Sequence, residues 1–259
     1  MTIRAAILTL ALLVAGCATP GPSTDIQHAL APTGSLRVAV YVGTTTSVIS
    51  DADRRGVGYD IGQDFARALH VPFAPMILEK NADVQAAIKT GKADAAFTNA
   101  SPERARDMDF TQPYLTIALG YLAGPKTRVT SLAQVDQPGV RVGVTAGSSS
   151  FGLLSAQLKN AKVITTTTVD EGDAMLAAGT LDLYATNKAT LYAMGDKLPG
   201  SHVLDGAWGY ERHAMGVPKG REAGLPFAKT FIADEMAKGR VKTAAARAGL
   251  RGAVDTKPD

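Results

Sequence analysis

The sequence predicts an α/β protein whose two lobes share one plan of strands and helices. Short β-branched strands alternate with stretches whose apolar residues recur at helical spacing. Two segments of the first half also recur, in the same order, in the second half. With 259 residues, 46% of them hydrophobic and 20% charged, the chain is long enough for one large domain or two smaller lobes. The repeats favour two lobes.

Residues 1–16 are predicted to be a signal peptide outside the fold. Arg4 precedes an apolar run over residues 5–15. This run is too short to span a bilayer, which needs about 20 residues, but its length suits a secretion signal. Cys17, the only cysteine, follows directly, and residues 18–33 with their three prolines are predicted to be a tether.

The first repeat is a strand that runs into glycine and three hydroxyl residues. It occupies residues 36–46 and returns 104 positions later at 140–150, so that the threonines 44–46 match the serines 148–150. The second repeat occupies residues 87–99 and returns 88 positions later, with its Gly, Asp, Thr and Asn all matched. Two matches in one order indicate duplicated lobes.

Each lobe therefore reads as strand, hydroxyl loop, helix, and a short strand ending at Thr-Asn. In lobe one, Ile61, Phe65 and Leu69 form the apolar stripe of a helix, and a second helix over about 82–90 ends at Gly91. Lobe two repeats this with a helix from Asp170 to Gly179. Alternating strands and helices predict mixed, mostly parallel sheets flanked by helices, and ligands of such sheets bind outside the carboxyl ends of the strands. Both hydroxyl loops and both Thr-Asn ends lie there, which predicts a cleft between the lobes.

Several function classes are disfavoured. The formal net charge is only +3 and the basic residues are dispersed, so no nucleic-acid partner is predicted. The four histidines lack metal-ligand spacing, and the glycines at 56, 58 and 62 miss the dinucleotide fingerprint by one position. There is no Walker A lysine motif and no hydrolase elbow. We predict a binding protein with no catalytic residues, no metal and no cofactor.

Four motifs resemble family 3 of the bacterial solute-binding proteins of ABC importers. They are Gly-x-Leu-Arg-Val at 34–38, Gly-Tyr-Asp-Ile at 58–61, Ser-Pro-Glu-Arg at 101–104 and Asp-Phe-Thr-Gln-Pro-Tyr at 109–114. The resemblance runs from about residue 34 to 250 and implies a type II periplasmic-binding fold. Its two hinge crossings are expected near 117–124 and 210–217. Lobe one is then 34–119 plus 215–259, and lobe two is 120–214.

The resemblance implies that Arg104 holds a ligand carboxylate, which a guanidinium does through two charge-assisted hydrogen bonds. A surface arginine paired with Asp107 or Glu103 is the alternative. The loop with Ser148 and Ser149 precedes a predicted helix over 151–158, whose free N–H groups attract anions. Plain helix capping by Ser149 or Ser150 is compatible with this role.

The same family resemblance implies further site residues. Thr44 and Thr45 occupy the matching loop of lobe one, where the family often has an aromatic; Tyr41 serves only if the loop folds back. Tyr59 is expected to wall the pocket, with a half-buried core position as the alternative. Asn99 stands where the family usually offers a hydroxyl, and an amide supplies both a donor and an acceptor.

Asn187 departs from the family, which commonly has an aspartate there to pair with the ligand ammonium. A neutral amide supplies no charge. Either the ligand lacks an ammonium, or the counter-charge lies elsewhere, for instance at Asp205 or Glu211. A small carboxylated metabolite is therefore expected first and a standard α-amino acid second. Trp208 and Tyr210 cap the cleft or, as the preferred alternative, pack at the hinge.

The end of the signal peptide resembles a lipobox, Val-Ala-Gly-Cys at 14–17. The resemblance implies that Cys17 carries a lipid, and Ala18 implies anchoring to the outer membrane; a plain signal peptide is the alternative. The expected protein is a monomeric periplasmic receptor that delivers its solute to an inner-membrane permease, with a lipid as its only membrane contact. Three alternatives stay open: a dehydratase of the cyclohexadienyl type, an accessory protein of a quinoprotein dehydrogenase, and a sensor domain. The last is disfavoured because no membrane span follows before Asp259.

Overall fold

The structure, a computed structural model, describes residues 21–254. Within this range the strands and helices follow in chain order as α1 Thr24–Leu30, β1 Leu36–Tyr41, α2 Val57–Ala68, β2 Phe73–Leu78, α3 Asn81–Lys89, β3 Ala95–Asn99, β4 Met108–Phe110, β5 Leu115–Ala123, β6 Arg141–Thr145, α4 Ser149–Gln157, β7 Lys162–Thr166, α5 Val169–Ala178, β8 Leu183–Asn187, α6 Lys188–Lys197, β9 His202–Val203, β10 Gly209–Pro218, α7 Leu225–Ala237, α8 Arg240–Arg247 and β11 Ala253–Val254. No helix in this range is long and apolar enough to cross a bilayer.

Two parallel sets of strands form the two lobes. β1 pairs in parallel with β2 and β3, and β6 pairs in parallel with β7 and β8. β10 and β5 lie between the sets and pair antiparallel with each other, which gives the order β2-β1-β3-β10-β5-β8-β6-β7. The predicted two-lobed α/β fold is confirmed. The predicted hinge crossing at 117–124 lies on β5 except for its last residue, and the crossing at 210–217 lies on β10.

Hydrophobic cores cover both faces of these sheets. β1 sends Val38 and Val40 to one face, against α2, and Ala39 to the other, against α3. The α2 stripe of Ile61 and Phe65 is buried as its spacing predicts. Separate clusters fill lobe two around β6 and β8. Each lobe therefore has a core of its own, which leaves the space between them for a ligand.

The internal repeat appears as the same ion pair in both lobes. In lobe one the backbone N and Nε of Arg37 donate to Asp94 Oδ2, and Nη2 donates to Oδ1. In lobe two Arg141 donates from the same three nitrogens to the same oxygens of Asp182. Each pair holds the start of the lobe's first strand, β1 or β6, to the turn that follows α3 or α5. The duplication thus extends to individual hydrogen bonds.

Asp94 is expected to matter more for stability than its counterpart. Asp94 is fully buried and also accepts from Arg221 Nη1 at 2.6 Å, whereas the Asp182 side chain is 20% exposed. Asp94→Ala leaves two mostly buried guanidiniums without their carboxylate, so we expect a loss of about 2–3 kcal/mol of unfolding free energy. Asp182→Ala, the matched control, should lose about 1 kcal/mol or less. Urea unfolding measures both; equal losses would contradict this explanation.

The C-terminal ends of α3 and α5 lie at or just before the glycines that the sequence predicted, whereas the N-terminal starts of two predicted helices differ from the prediction. α5 ends at Gly179, in the left-handed conformation with φ 77°, and α3 is followed by Gly91 with φ 68°. α5 begins one residue before Asp170, because the Thr168 hydroxyl accepts from the Glu171 N–H and caps it. Pro102 opens no long helix; a single 3-10 turn, Arg104–Arg106, follows it.

The predicted tether at 18–33 is wrong over part of its length. Residues Thr24–Leu30 form α1, which Ser23 caps, and Leu30 is fully buried against the 3-10 turn Glu222–Gly224. Gln27 Nε2 also donates to the Leu69 carbonyl at 2.8 Å. The prolines suggested an extended segment, but apolar residues at Ile26 and Leu30 provide a helix face for lobe one. The signal peptide and Cys17 lie outside the described residues.

Candidate functional site

A cavity lies between the two lobes, where the carboxyl ends of both parallel sets meet. Its empty volume, including the part open to solvent, is about 650 Å³. The Thr-Asn ends of both repeats line it, as do the hydroxyl loops that begin at Thr44 and Ser148. Arg104, Glu211 and His213 supply its acidic and basic side chains, and Tyr41 also lines it. The repeat thus brings matching polar groups of both lobes to one cavity.

The lobes contact each other around this cavity. Gln85 Nε2 on α3 donates to the Gly147 carbonyl at 2.8 Å, and a Cβ at Gly147 would lie 3.4 Å from the Ala82 side chain. Ser149 at the start of α4 donates to Glu211 on β10. The cleft is therefore closed in this structure.

Arg104 is a buried cation without a paired carboxylate. Only 6% of it is exposed, and its guanidinium donates to the Thr98 hydroxyl at 2.5 Å and to the Asn81 side chain at 3.5 Å. Within residues 21–254 no carboxylate oxygen lies within 4.0 Å of it; Glu103 and Asp107 lie near Arg106 and Lys89 instead. Burial lowers the pKa of Arg104, opposed by the charges of Glu211 and Glu103. Such a cation is well placed to receive an anion.

Glu211 is the cavity's buried anion. One carboxylate oxygen accepts from the Ser149 hydroxyl, and the other accepts from Asn187 Nδ2 at 3.1 Å and pairs with His213 Nε2 at 3.2 Å. Burial by itself raises the pKa of Glu211. The hydrogen bond and charge of His213, the Ser149 hydroxyl and the Arg104 charge outweigh burial and lower this pKa to about 2. Glu211 is therefore ionised at neutral pH.

Both ends of the Asn187 side-chain amide form hydrogen bonds with neighbouring residues. Its Oδ1 caps α6 by accepting from the Thr190 N–H at 3.1 Å and from the Thr190 hydroxyl at 3.2 Å, and its Nδ2 donates to Glu211. Asp205 is exposed and does not line the cavity. Of the two counter-charges suggested for the missing aspartate, Glu211 is the one that the fold brings into the cavity.

Asn99 and Ser148 line the cavity, and their side chains also form hydrogen bonds that hold the backbone. The Asn99 Oδ1 accepts from the Arg212 N–H at 2.9 Å, which joins β3 to β10. The Ser148 hydroxyl accepts from the Phe151 N–H at 3.1 Å and caps α4, so the cap lies one residue before the predicted Ser149. Because Ser148 is the capping residue, the hydroxyl of Ser149, the first residue of α4, is available to donate to Glu211.

Thr45 and Tyr59 do not line the cavity. Thr44 lines it, but the backbone of Thr45 faces α2 and accepts from the Val57 N–H at 3.0 Å. Tyr59 is 8% exposed and packs edge-on against Phe73, with ring centroids 5.1 Å apart. Tyr59 is therefore a core residue, which was the alternative to a pocket wall. The reason is that α2 already begins at Val57 and turns this side chain toward the sheet.

Trp208 packs at the hinge, and Tyr210 is exposed. Trp208 Nε1 donates to the Gly120 carbonyl of β5 at 2.9 Å, whereas Tyr210 is 61% exposed. Sequence reasoning did not select His213 or give Tyr41 more than a conditional role. Alternation along β10 puts Glu211 and His213 on one face, but only the pairing of β10 tells which face meets the cleft.

Two similar α/β lobes that close over a cavity with one buried cation and one buried anion define a ligand-binding protein of the hinged, two-lobed class. Residues 36–248 match the family model of the bacterial extracellular solute-binding proteins, family 3, and the chain belongs to this family. The resemblance seen in the motifs is thereby confirmed. No curated protein matches the sequence significantly.

Solved structures with the same fold include three informative relatives. A substrate-binding protein of an amino acid ABC transporter from Streptococcus pneumoniae, bound to L-arginine, is 19% identical with a TM-score of 0.75, over 89% of this chain and 100% of that chain. The solute receptor for L-cysteine of Neisseria gonorrhoeae is 24% identical with a TM-score of 0.75, over 87% and 93%. The ancestral amino acid-binding protein AncCDT-1, a precursor of cyclohexadienyl dehydratase, is 21% identical with a TM-score of 0.73, over 86% and 98%. These identities establish the fold alone.

Proposed function

We propose that this protein captures a small solute carrying both a carboxylate and an ammonium group, and presents it to an inner-membrane ABC permease. One observation carries the proposal: Arg104 and Glu211 are opposite charges buried in the same cavity, and Arg104 has no carboxylate partner within the described chain. The solute carboxylate pairs with Arg104. Its ammonium pairs with Glu211, which accepts three hydrogen bonds from protein and retains capacity for another.

This assignment reverses the order of ligand classes expected from Asn187. A neutral amide at 187 favoured an anionic metabolite without an ammonium. An ionised Glu211 facing the cavity repels a second carboxylate and attracts a cation. An α-amino acid is therefore the first candidate and a dicarboxylate the last.

Closure couples the two lobes to the solute. Arg104 belongs to lobe one, whereas Ser149 and Asn187, which hold Glu211, belong to lobe two. Only the closed form assembles both groups around one ligand, so binding shifts the population toward that form. β5 and β10, which pair side by side between the lobes, are the strands about which closure takes place.

A thermal-shift panel tests the proposal. It contains α-amino acids, their matched 2-keto acids, dicarboxylates and sugars. We expect at least one amino acid to raise the Tm, while its keto acid fails to do so, because the ketone leaves Glu211 without a cation. A ligand at 100 times its Kd adds about 2.7 kcal/mol of stability. Stabilisation by keto acids or dicarboxylates alone would contradict the proposal.

The dehydratase alternative is favoured by one feature of the cavity and disfavoured by the pKa of Glu211. His213 and Glu211 form a buried pair in the cavity, beside a guanidinium suited to a carboxylate. A general acid needs a pKa near the working pH, and Glu211 with a pKa of about 2 has no proton to give at neutral pH. Glu211 is therefore unsuited to act as a general acid, and a receptor remains our proposal. Turnover of a prephenate-like substrate would reverse this choice.

The lipid anchor is a separate proposal, since Cys17 lies outside the described residues. Cys17→Ser is expected to move the exported protein from the membrane fraction to the soluble periplasmic fraction, because no thiol then remains to carry the lipid. Ala18→Ser, which keeps a small residue, is the control and should stay membrane-bound. Fractionation with immunoblotting measures both. A Cys17→Ser protein that still sediments with membranes would rule the anchor out.

A further inference from the structure

A second cavity adjoins the cavity that holds Arg104 and Glu211. We call it the side cavity; its lining includes Gly43, Ile49, Glu79, Asp170, Met194 and Lys197. Its empty volume, including the part open to solvent, is about 980 Å³. Three residues line both cavities: Tyr41, Val169 and Thr190. These three residues therefore stand between the two spaces.

Tyr41 is the largest of the three and comes from the opposite lobe. It is the last residue of β1 in lobe one, while Val169 and Thr190 belong to α5 and α6 of lobe two. Burial, with the charges of Tyr184 and Asp170 adding to it, raises the pKa of the Tyr41 phenol to about 12. Tyr41 lines both cavities together with Val169, the first residue of α5 in the other lobe. The ring thus reaches from one lobe to the other.

We propose that the Tyr41 ring partitions the space between the lobes and sets the longest solute around which the cleft closes. The proposal rests on the proposed function, since a solute held by Arg104 and Glu211 must direct its remaining atoms somewhere. With Tyr41 in place, those atoms stay within the first cavity. Short amino acids fit, and a longer side chain either displaces the ring or prevents closure.

The side cavity indicates which long solutes a smaller residue at 41 would admit. Ile49, Ala193 and Met194 offer apolar surface to a methylene chain. The same lining holds two carboxylates, Glu79 and Asp170, against one ammonium, Lys197, which is 3.9 Å from Asp170. The net charge there is negative, so a chain that ends in a cation is favoured over one that ends in an anion.

The test measures binding of L-alanine and L-lysine by calorimetry to the parent protein, Tyr41→Ala and Tyr41→Phe. In the parent we expect L-alanine to bind more tightly than L-lysine. Rejection of even one extra methylene is worth about tenfold or more in affinity, so removing the partition should shift the lysine-to-alanine affinity ratio by at least about tenfold toward L-lysine. Tyr41→Phe keeps the ring and should keep the parent ratio. Tyr41→Leu serves if Tyr41→Ala does not fold.

Each outcome decides the matter. An unchanged ratio in Tyr41→Ala and Tyr41→Leu, with L-alanine still bound, overturns the partition and leaves the proposed function standing. A parent that prefers L-lysine overturns it as well. A parent that binds neither amino acid, nor any other in the thermal-shift panel, shows that the proposed function is wrong and removes the length limit with it. A shift in Tyr41→Phe equal to that in Tyr41→Ala assigns the effect to the hydroxyl and overturns the steric role.

Discussion

Arg104→Met is expected to weaken solute binding about 1000-fold, because it removes the buried cation that we propose pairs with the solute carboxylate. Methionine retains most of the side-chain length and brings no charge. The unliganded protein should unfold at an equal or higher temperature than the parent, since burying a guanidinium without a carboxylate partner costs stability. Calorimetry gives the affinity, and thermal unfolding without ligand gives the stability.

Arg106→Met is the matched control, because Arg106 lies on the same 3-10 turn with 75% of its side chain exposed. Its affinity and stability should stay at the parent values. Binding by Arg104→Met within tenfold of the parent would show that the carboxylate is held elsewhere. A large loss of stability without ligand would mean that Arg104 is a structural residue.

Glu211→Gln is expected to weaken α-amino acid binding about 100-fold, because it removes the buried anion that we propose pairs with the ligand ammonium. Glutamine also directs an NH₂ group at partners that already donate, namely Ser149, Asn187 and His213. Affinity for the matched keto acid should rise, since the repulsion between two carboxylates is lost. Calorimetry with both ligands separates this loss of charge selectivity from general damage.

The pH dependence gives a second readout for the same variant. The pKa of Glu211 lies below its ordinary 4.5, at about 2, in the folded protein, so its ionised form is the stabilised one. The contribution to unfolding free energy is complete above pH 4.5 and is lost as the pH falls toward 2. Glu211→Gln should lack this contribution over that window. Glu103→Gln, exposed but near Arg104, is the control and should keep both the affinity and the pH profile of the parent.

Patterns local in sequence could be interpreted without a structure. The repeat with an offset of 88 predicted that Asn99 and Asn187 would occupy equivalent places, and both line the cavity. The helix stripe of Ile61 and Phe65 and the glycine end of α5 needed only helical spacing and backbone preference. The motif at 101–104 selected Arg104, although sequence alone left its pairing with Glu103 or Asp107 open.

Other assignments depended on contacts between distant segments. Thr45 lies between two cavity residues in sequence, and Tyr59 stands in a family motif, but the start of α2 at Val57 turns both away from the cleft. Residue Leu30 looked like part of a tether until the 3-10 turn Glu222–Gly224, far along the chain, provided the surface that buries it. No pattern within a few residues encodes such partners.

By itself the sequence determined the duplicated α/β plan and the edge of the sheets where the hydroxyl loops and the Thr-Asn ends gather, because periodicity and repeat spacing are local properties of the chain. The family resemblance added Arg104 as a candidate cation for a ligand carboxylate. Only the tertiary structure decided which anion faces that cation. β10 has two faces, and its antiparallel pairing with β3 and β5 turns Glu211 and His213 toward the cleft. It also decided that Tyr41 reaches the other lobe, since that contact exists only when the two lobes meet.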